Sequence, residues 1–237
     1  MTSPPPPAPA EATPLAALRR EVVCGDALEW LRLNPARPGC SVLTTMPDVT
    51  ECGVPYPEWR RFFLDAARLA LLATPEDGLT LFFQTDNRLE GRWVSKAAMV
   101  LQVIDELEVP LLWHKIVCRK PPGAVLLGRP GYSHILAASR GRVMPAHGGF
   151  PDVLPDLGEM PWSHSMGTRA AELCIRAIRV ASPSTHTVVV PFCGIGTALA
   201  MANDHGLACI GLERNRKRAE KAKTFQLGPP LSPPVSA

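Results

Sequence analysis

Residues 187–213 read TVVVPFCGIGTALAMANDHGLACIGLE. A β-branched run at 187–190 leads into a loop carrying Gly194 and Gly196. An apolar helical period follows from Thr197 to Asp204, Gly206 marks a turn, and a second apolar strand ends in Glu213. This succession predicts a βαβ unit. Its chemistry follows from its parts. Glycines let the backbone approach a ligand, the helix N-terminus presents free amides, and an acid closing the second strand can accept hydrogen bonds from ribose hydroxyls. Glu213 stands 19 residues after Gly194, the spacing such a pocket requires. A cofactor bearing a nucleoside is therefore expected. A dinucleotide is disfavoured, because its fingerprint asks for a small residue at position 199, where the chain has Leu199.

Outward from this unit the chain alternates strands with helices. Strands are expected at 21–24, 41–45, 79–84, 109–117 and 133–138. Helices are expected from residue 27 through Leu33 and at 58–72, 95–106 and 168–181. The class is α/β with a mostly parallel sheet. Of 26 prolines, ten fall in residues 1–14 and 228–237. One folded domain over 15–227 between two Pro-rich, unstructured tails is the expected organisation. No run of eighteen apolar residues occurs, and the N-terminus lacks the basic and apolar segments of a secretion signal. The expectation is a cytoplasmic location without membrane contact. Seven cysteines, scattered and without a CxxC pair, support neither a disulfide framework nor a zinc site; no metal is expected.

The stretch VVVPFCGIGTALAMA resembles the cofactor loop of the amino-methyltransferases that use S-adenosyl-L-methionine, whose usual form is an acid followed by Pro-Phe-Cys-Gly-Ser-Gly-Thr; Val190 stands where that acid would be. Because the loop opens the last quarter of the chain, most strands precede it. That order is similar to the circularly permuted β class of DNA and RNA amino-methyltransferases. The resemblance spans roughly residues 21–223, through CGDALEWL, the Thr45-Met46-Pro47-Asp48 turn, LLWHKI, YSHILAAS and the 162–167 loop. It implies a Rossmann-like methyltransferase fold with a seven-stranded, circularly permuted sheet. It also implies cofactor contacts from Asp26, Ser163, Met166, Pro191, Phe192, Cys193, Gly194, Gly196, Thr197 and Glu213.

The same resemblance makes Thr45, Pro47 and Asp48 the catalytic turn. In the family a polar first residue and a Pro-associated carbonyl accept hydrogen bonds from the target amine, and an aromatic fourth residue stacks on the extruded base. Here Asp48 replaces the aromatic. A modified site, an ordinary Pro-Asp turn and an inactive cofactor-binding relative are the competing readings. On the first, replacing Asp48 with Ala abolishes turnover and spares cofactor binding. Tyr56 is the candidate for a displaced stacking surface.

The net charge of +3 is unevenly placed. Residues 109–151 contain no Asp or Glu but carry Lys115, Arg119, Lys120, Arg129, Arg140 and Arg142. A second cluster at 214–223 has six basic residues against Glu220. With His114 and Tyr132 near predicted strand ends, the first stretch reads as an edge facing nucleic-acid phosphates. The expected activity is methyl transfer to nucleic acid, at a base amine, with RNA slightly favoured over DNA. A small-molecule or protein methyltransferase and a non-catalytic binding module are the alternatives. The sequence assigns no oligomeric state.

Overall fold

The computed structural model describes residues 19–145 and 149–228. The predicted Pro-rich tails lie outside these residues, save Gly228, as do the first four residues of the domain expected over 15–227. The chain runs β1 (Arg20–Cys24), α1 (Ala27–Leu33), β2 (Cys40–Thr44), α2 (Val49–Cys52), α3 (Tyr56–Leu72), β3 (Thr80–Gln84), β4 (Asn87–Leu89), β5 (Arg92–Val94) and α4 (Lys96–Glu106). It continues through β6 (Leu111–Cys118), β7 (Tyr132–Ala138), β8 (Val153–Leu154), α5 (Thr168–Ala181), β9 (Thr187–Pro191), α6 (Thr197–Asp204), β10 (Ala208–Glu213) and α7 (Arg216–Thr224).

Among the described residues eight strands form one sheet in the order β1-β10-β9-β2-β3-β7-β6-β8. The first five are mutually parallel, and β7 is antiparallel to both β3 and β6. Counted from β9 and leaving out β8, successive strands occupy positions 3-2-1-4-5-7-6. The order is circularly permuted, as expected, but the strand number is eight rather than seven. The addition is β8, laid parallel to β6 by the bond from the Ile116 amide to the Asp152 carbonyl. Two residues carry no period by which a sequence reader could find them. The β4–β5 hairpin forms a separate two-stranded sheet.

Strand alternation builds a core on each face. Leu81 and Phe83 point to the side of α5 and α6, whereas Phe82 points to that of α3 and α4. The helices answer with matching stripes: Trp59, Phe63, Ala66 and Ala70 on α3, and Ala170, Cys174, Ile175 and Ile178 on α5. Because β9 and β2 are neighbours whose onward connections leave in opposite directions, their carboxyl ends open a crevice between them. No helix among the described residues is long and apolar enough to cross a membrane.

Candidate active site

The crevice is a cleft of about 570 Å³. Of the residues expected to hold a cofactor, Asp26, Met166, Phe192, Cys193, Gly194, Thr197 and Glu213 line it. Each is delivered by an element end. Asp26 caps α1, its Oδ1 accepting from the Leu28 and Glu29 amides at 2.8 and 2.9 Å. Gly194 lies beyond β9 with φ +58, and a Cβ there would meet the Trp162 ring at 3.1 Å. Only glycine keeps the loop backbone open under that ring. Glu213, buried at the end of β10, accepts from the Gly194 amide at 3.2 Å, from the Asn215 amide at 2.8 Å and from Arg218 at 2.9 Å. Arg218 in turn stacks on Trp162, 5.4 Å from the ring centre.

Pro191 and Gly196 stand behind the cleft wall. The Pro191 carbonyl accepts from the Thr44 hydroxyl. Gly196, at φ +97, begins α6, where a Cβ would press on the Ala222 backbone at 3.1 Å. Its smallness therefore serves the packing of α6 on α7, and the close approach to ligand falls to Gly194. Cys193 lines the cleft, yet its thiol packs against Gly211. Burial, reinforced by the nearby Glu213 charge, pushes that thiol up to about 12, so it is protonated and unreactive at neutral pH.

A second, smaller cavity of about 40 Å³ adjoins the first, sharing Thr45, Met46, Glu51, His164 and Ser165 with it. Asp48, Gln84, Lys96, Arg119, Arg129 and Ser163 also line it. Pro47 borders the larger cleft, but its carbonyl already accepts from the Trp59 indole at 3.1 Å. The Met46 carbonyl accepts no backbone hydrogen bond among the described residues.

Asp48 departs most from expectation. It is neither a free base nor a bare turn residue. Only 4% of its side chain is exposed, Oδ1 accepts from the Val49 amide at 2.8 Å and from Asn87 at 2.7 Å, and Oδ2 lies 3.1 Å from Arg129 and 3.7 Å from Lys96. Lys96 is equally buried, and that burial holds its ammonium below the ordinary lysine range while Asp48 draws it back up. Sequence reading missed Lys96. Its one signal was a lysine opening an otherwise apolar helical stripe.

Beside this pair Asp86 accepts from the Lys96 and Ala97 amides at 2.8 and 3.3 Å and from the Trp93 indole at 3.2 Å. Burial pushes its carboxyl upward, but His134 and the Ala97 amide outweigh burial and hold it at about 2. That value lies below the ordinary 3.8, so the stability Asp86 supplies is complete above pH 4 and is lost as pH falls towards 2, by about 2 kcal/mol. Urea unfolding at pH 4.5 and 2.5 is expected to show this loss in the wild type and a smaller one in Asp86→Asn. Equal losses would remove the assignment.

Four predicted substrate contacts are placed differently. Lys115 is buried on the opposite face of β6, donating to the Phe150 carbonyl at 3.0 Å and to Asp152 at 2.8 Å. Its ammonium is held by these two partners and is not free to meet a phosphate. His114 shares a 2.9 Å hydrogen bond with His134, and Tyr132 meets His134 edge-on; neither lines either cavity. Tyr56 pairs with Trp59 at 5.8 Å and also lies outside both. Arg140 and Arg142 bond the Thr74 and Asp77 carbonyls at the far end of the sheet. Arg119, Lys120 and Arg129 are thus what remains of the basic edge near the mouth. No group of three or more His, Cys, Asp or Glu among the described residues could hold a metal ion.

No protein-family model and no curated protein matches the chain. Solved structures do. A candidate DNA modification methylase of Thermus thermophilus, complexed with S-adenosyl-L-methionine, superposes with TM-score 0.65 at 22% identity, covering 87% of this chain and 92% of that one. The cytosine-N4-specific PvuII DNA methyltransferase superposes with TM-score 0.68 at 16% identity, covering 86% and 85%. The chain has the Rossmann-like methyltransferase fold. The M1.HpyAVI–SAM complex shares this methyltransferase fold at TM-score 0.57 and 13% identity. In that fold the cleft at β9 and β10 and the cavity beyond β2 and β3 lie at the carboxyl ends of the parallel strands.

Proposed function

We propose that the protein is an S-adenosyl-L-methionine-dependent DNA methyltransferase of the circularly permuted β class, acting on an exocyclic base amine. The observation that carries this reading is Thr45, which lines both the nucleoside-sized cleft and the smaller cavity and so stands where cofactor and acceptor would meet. DNA is preferred to the RNA first expected, because two of the neighbours of like fold, the Thermus thermophilus methylase and PvuII, are named for DNA. The cleft suits the cofactor chemically. It offers the Glu213 carboxylate, the Asp26 carboxylate, the N-terminus of α6 and a buried Thr197 hydroxyl with no partner. Glu213 and Asp26 would hold the nucleoside, and Glu51 or Glu58, also in the wall, would replace the acid missing at Val190 in holding the ammonium.

When bound, the cofactor would supply an electrophilic sulfonium methyl for the acceptor nitrogen, and the proton lost by that nitrogen would pass to water. The chain's part is to position and polarise the amine. Thr45 Oγ1 and the Met46 carbonyl are the acceptors at the junction, the Pro47 carbonyl being occupied. Gln84, fully buried with both amide atoms unpartnered, offers the paired donor and acceptor that a base edge requires. Arg129, fixed by Asp48, supplies a planar cation able to stack on a base where the family has an aromatic ring.

The smaller cavity, about 40 Å³, must widen to admit a base, and His164 Nδ1 meets Glu51 at 3.0 Å in the wall that it shares with the larger cleft. Its present size is the observation that favours a small-molecule acceptor as the second reading. Transfer of tritiated methyl from the cofactor into unmethylated bacterial genomic DNA, followed by nucleoside mass spectrometry, separates the two. Label in a methylated base is expected, with kcat lowered about tenfold in Thr45→Val. Cofactor binding without label in DNA would sink the proposal.

A further inference from the structure

Two protrusions rise beside the smaller cavity. One is the β4–β5 hairpin, which turns at Glu90 and Gly91, both at positive φ (50° and 76°). The other is the segment 119–131 joining β6 to β7. Its base is closed by the Arg119 and Lys120 amides, which donate to the Gly131 carbonyl at 2.7 and 3.1 Å. The Arg88 amide donates to the Gly128 carbonyl at 3.3 Å, so the two stand joined. Arg119 and Arg129 line the cavity itself, which places the second protrusion on its rim.

The tip of that protrusion is apolar and in water: Val125 is 89% exposed, Leu127 85% and Leu126 40%. Trp93 of the hairpin is 46% exposed, with Arg88 against its ring. Around these stand Arg88, Arg92, Arg119, Lys120 and Arg129; Glu90 is the one acid on the two segments, and Asp48 and Asp86, which pair with Arg129 and Trp93, are buried beneath them. An aliphatic tip inside a cationic collar matches an occupant that is polyanionic outside and apolar within. Duplex nucleic acid has that construction, with phosphates on its surface and stacked bases beneath.

We infer that the Val125–Leu127 tip is a wedge that enters the base stack of duplex DNA where the target nucleotide leaves it, while Arg88, Arg92 and Lys120 hold the flanking phosphates. The inference rests on the reading of the protein as a DNA methyltransferase. Extruding a base opens a gap whose two faces lose their stacking, and inserted aliphatic side chains cover those faces. A strand already single has no gap to fill, so the wedge matters only for duplex. The two protrusions thereby take a direct part in reading duplex DNA.

The test uses the full chain, tritiated S-adenosyl-L-methionine and genomic DNA from a methylation-deficient bacterium, either native or heat-denatured. The double variant Val125→Ser, Leu127→Ser is expected to methylate native duplex about tenfold more slowly than wild type and the denatured strands within about twofold of it. Both side chains are more than four-fifths exposed, so the thermal midpoint and its shift on cofactor binding are expected to stay unchanged. Should the midpoint fall, the single variant Leu127→Ser gives the same duplex-selective loss in smaller measure. An unchanged duplex rate, or equal losses on both forms, overturns the wedge while leaving the methyltransferase reading standing. A wild type that labels neither form overturns both.

Discussion

Replacing Asp48 with Ala is expected to destabilise the fold by about 3–5 kcal/mol, because it strands the buried Lys96 ammonium without its counter-charge. Arg129, 41% exposed, can turn to solvent; Lys96 cannot. The change also removes the acceptor of the Asn87 amide and the cap of α2. Asp48→Asn keeps the shape and part of the hydrogen bonding, and its loss is expected to be smaller. Urea denaturation followed by circular dichroism measures both. Stability within about 0.5 kcal/mol of wild type in the alanine variant would show that the Asp48–Lys96 pair is not coupled as its geometry indicates. The sequence led to a different expectation for the same substitution, lost turnover with cofactor binding intact. With Asp48 buried among four partners, activity lost in Asp48→Ala reports on the fold before it reports on chemistry.

Glu213→Ala is expected to raise the dissociation constant for S-adenosyl-L-methionine about 100-fold, the equivalent of about 2.7 kcal/mol. Two losses combine. The carboxylate that would accept from the ribose is gone, a charge-assisted bond worth about 1.5–3 kcal/mol. The Gly194 amide also loses the acceptor that sets the loop, and Arg218 is left in the cleft wall without its partner. Glu213→Gln is expected to fall between, since its amide can accept at one oxygen but places a donor towards either Gly194 or Arg218. Isothermal titration calorimetry decides the matter: an affinity within threefold of wild type in the alanine variant would remove Glu213 from the cofactor site.

What the sequence discloses here follows the distance over which each interaction acts. The β9–α6–β10 unit was legible because its strands, glycines and terminal acid occupy one short segment, and a local period reports a local structure. Helices α4, α5 and α6 could be read to within a residue or two for the same reason. The β4–β5 hairpin was not, because NRLEGRWV is too charged to alternate and turns at Glu-Gly, where Asn-Gly or Asp-Gly is the stronger signal. Lys115 was misread as a phosphate contact because its partners, Phe150 and Asp152, lie 35 and 37 residues further on. The Asp48–Lys96 pair spans β3 and the hairpin. Neighbouring letters cannot disclose such a pair, and it decides whether Asp48 is reagent or scaffold.

At the β1 edge of the sheet, the Arg20 side chain donates to Asn203 and to the Phe225 carbonyl, so the first strand and the segment after the last helix are held together. The ends of the fold therefore meet, and its elements form a closed cycle in which no element must come first. A chain joined there and opened after Ala138 would begin near the cofactor strand and keep every strand pairing within β1 to β3 and β9 to β10. The starting point of the polypeptide would then be a matter of gene order, and the cleft between β9 and β2 would be made by the same residues.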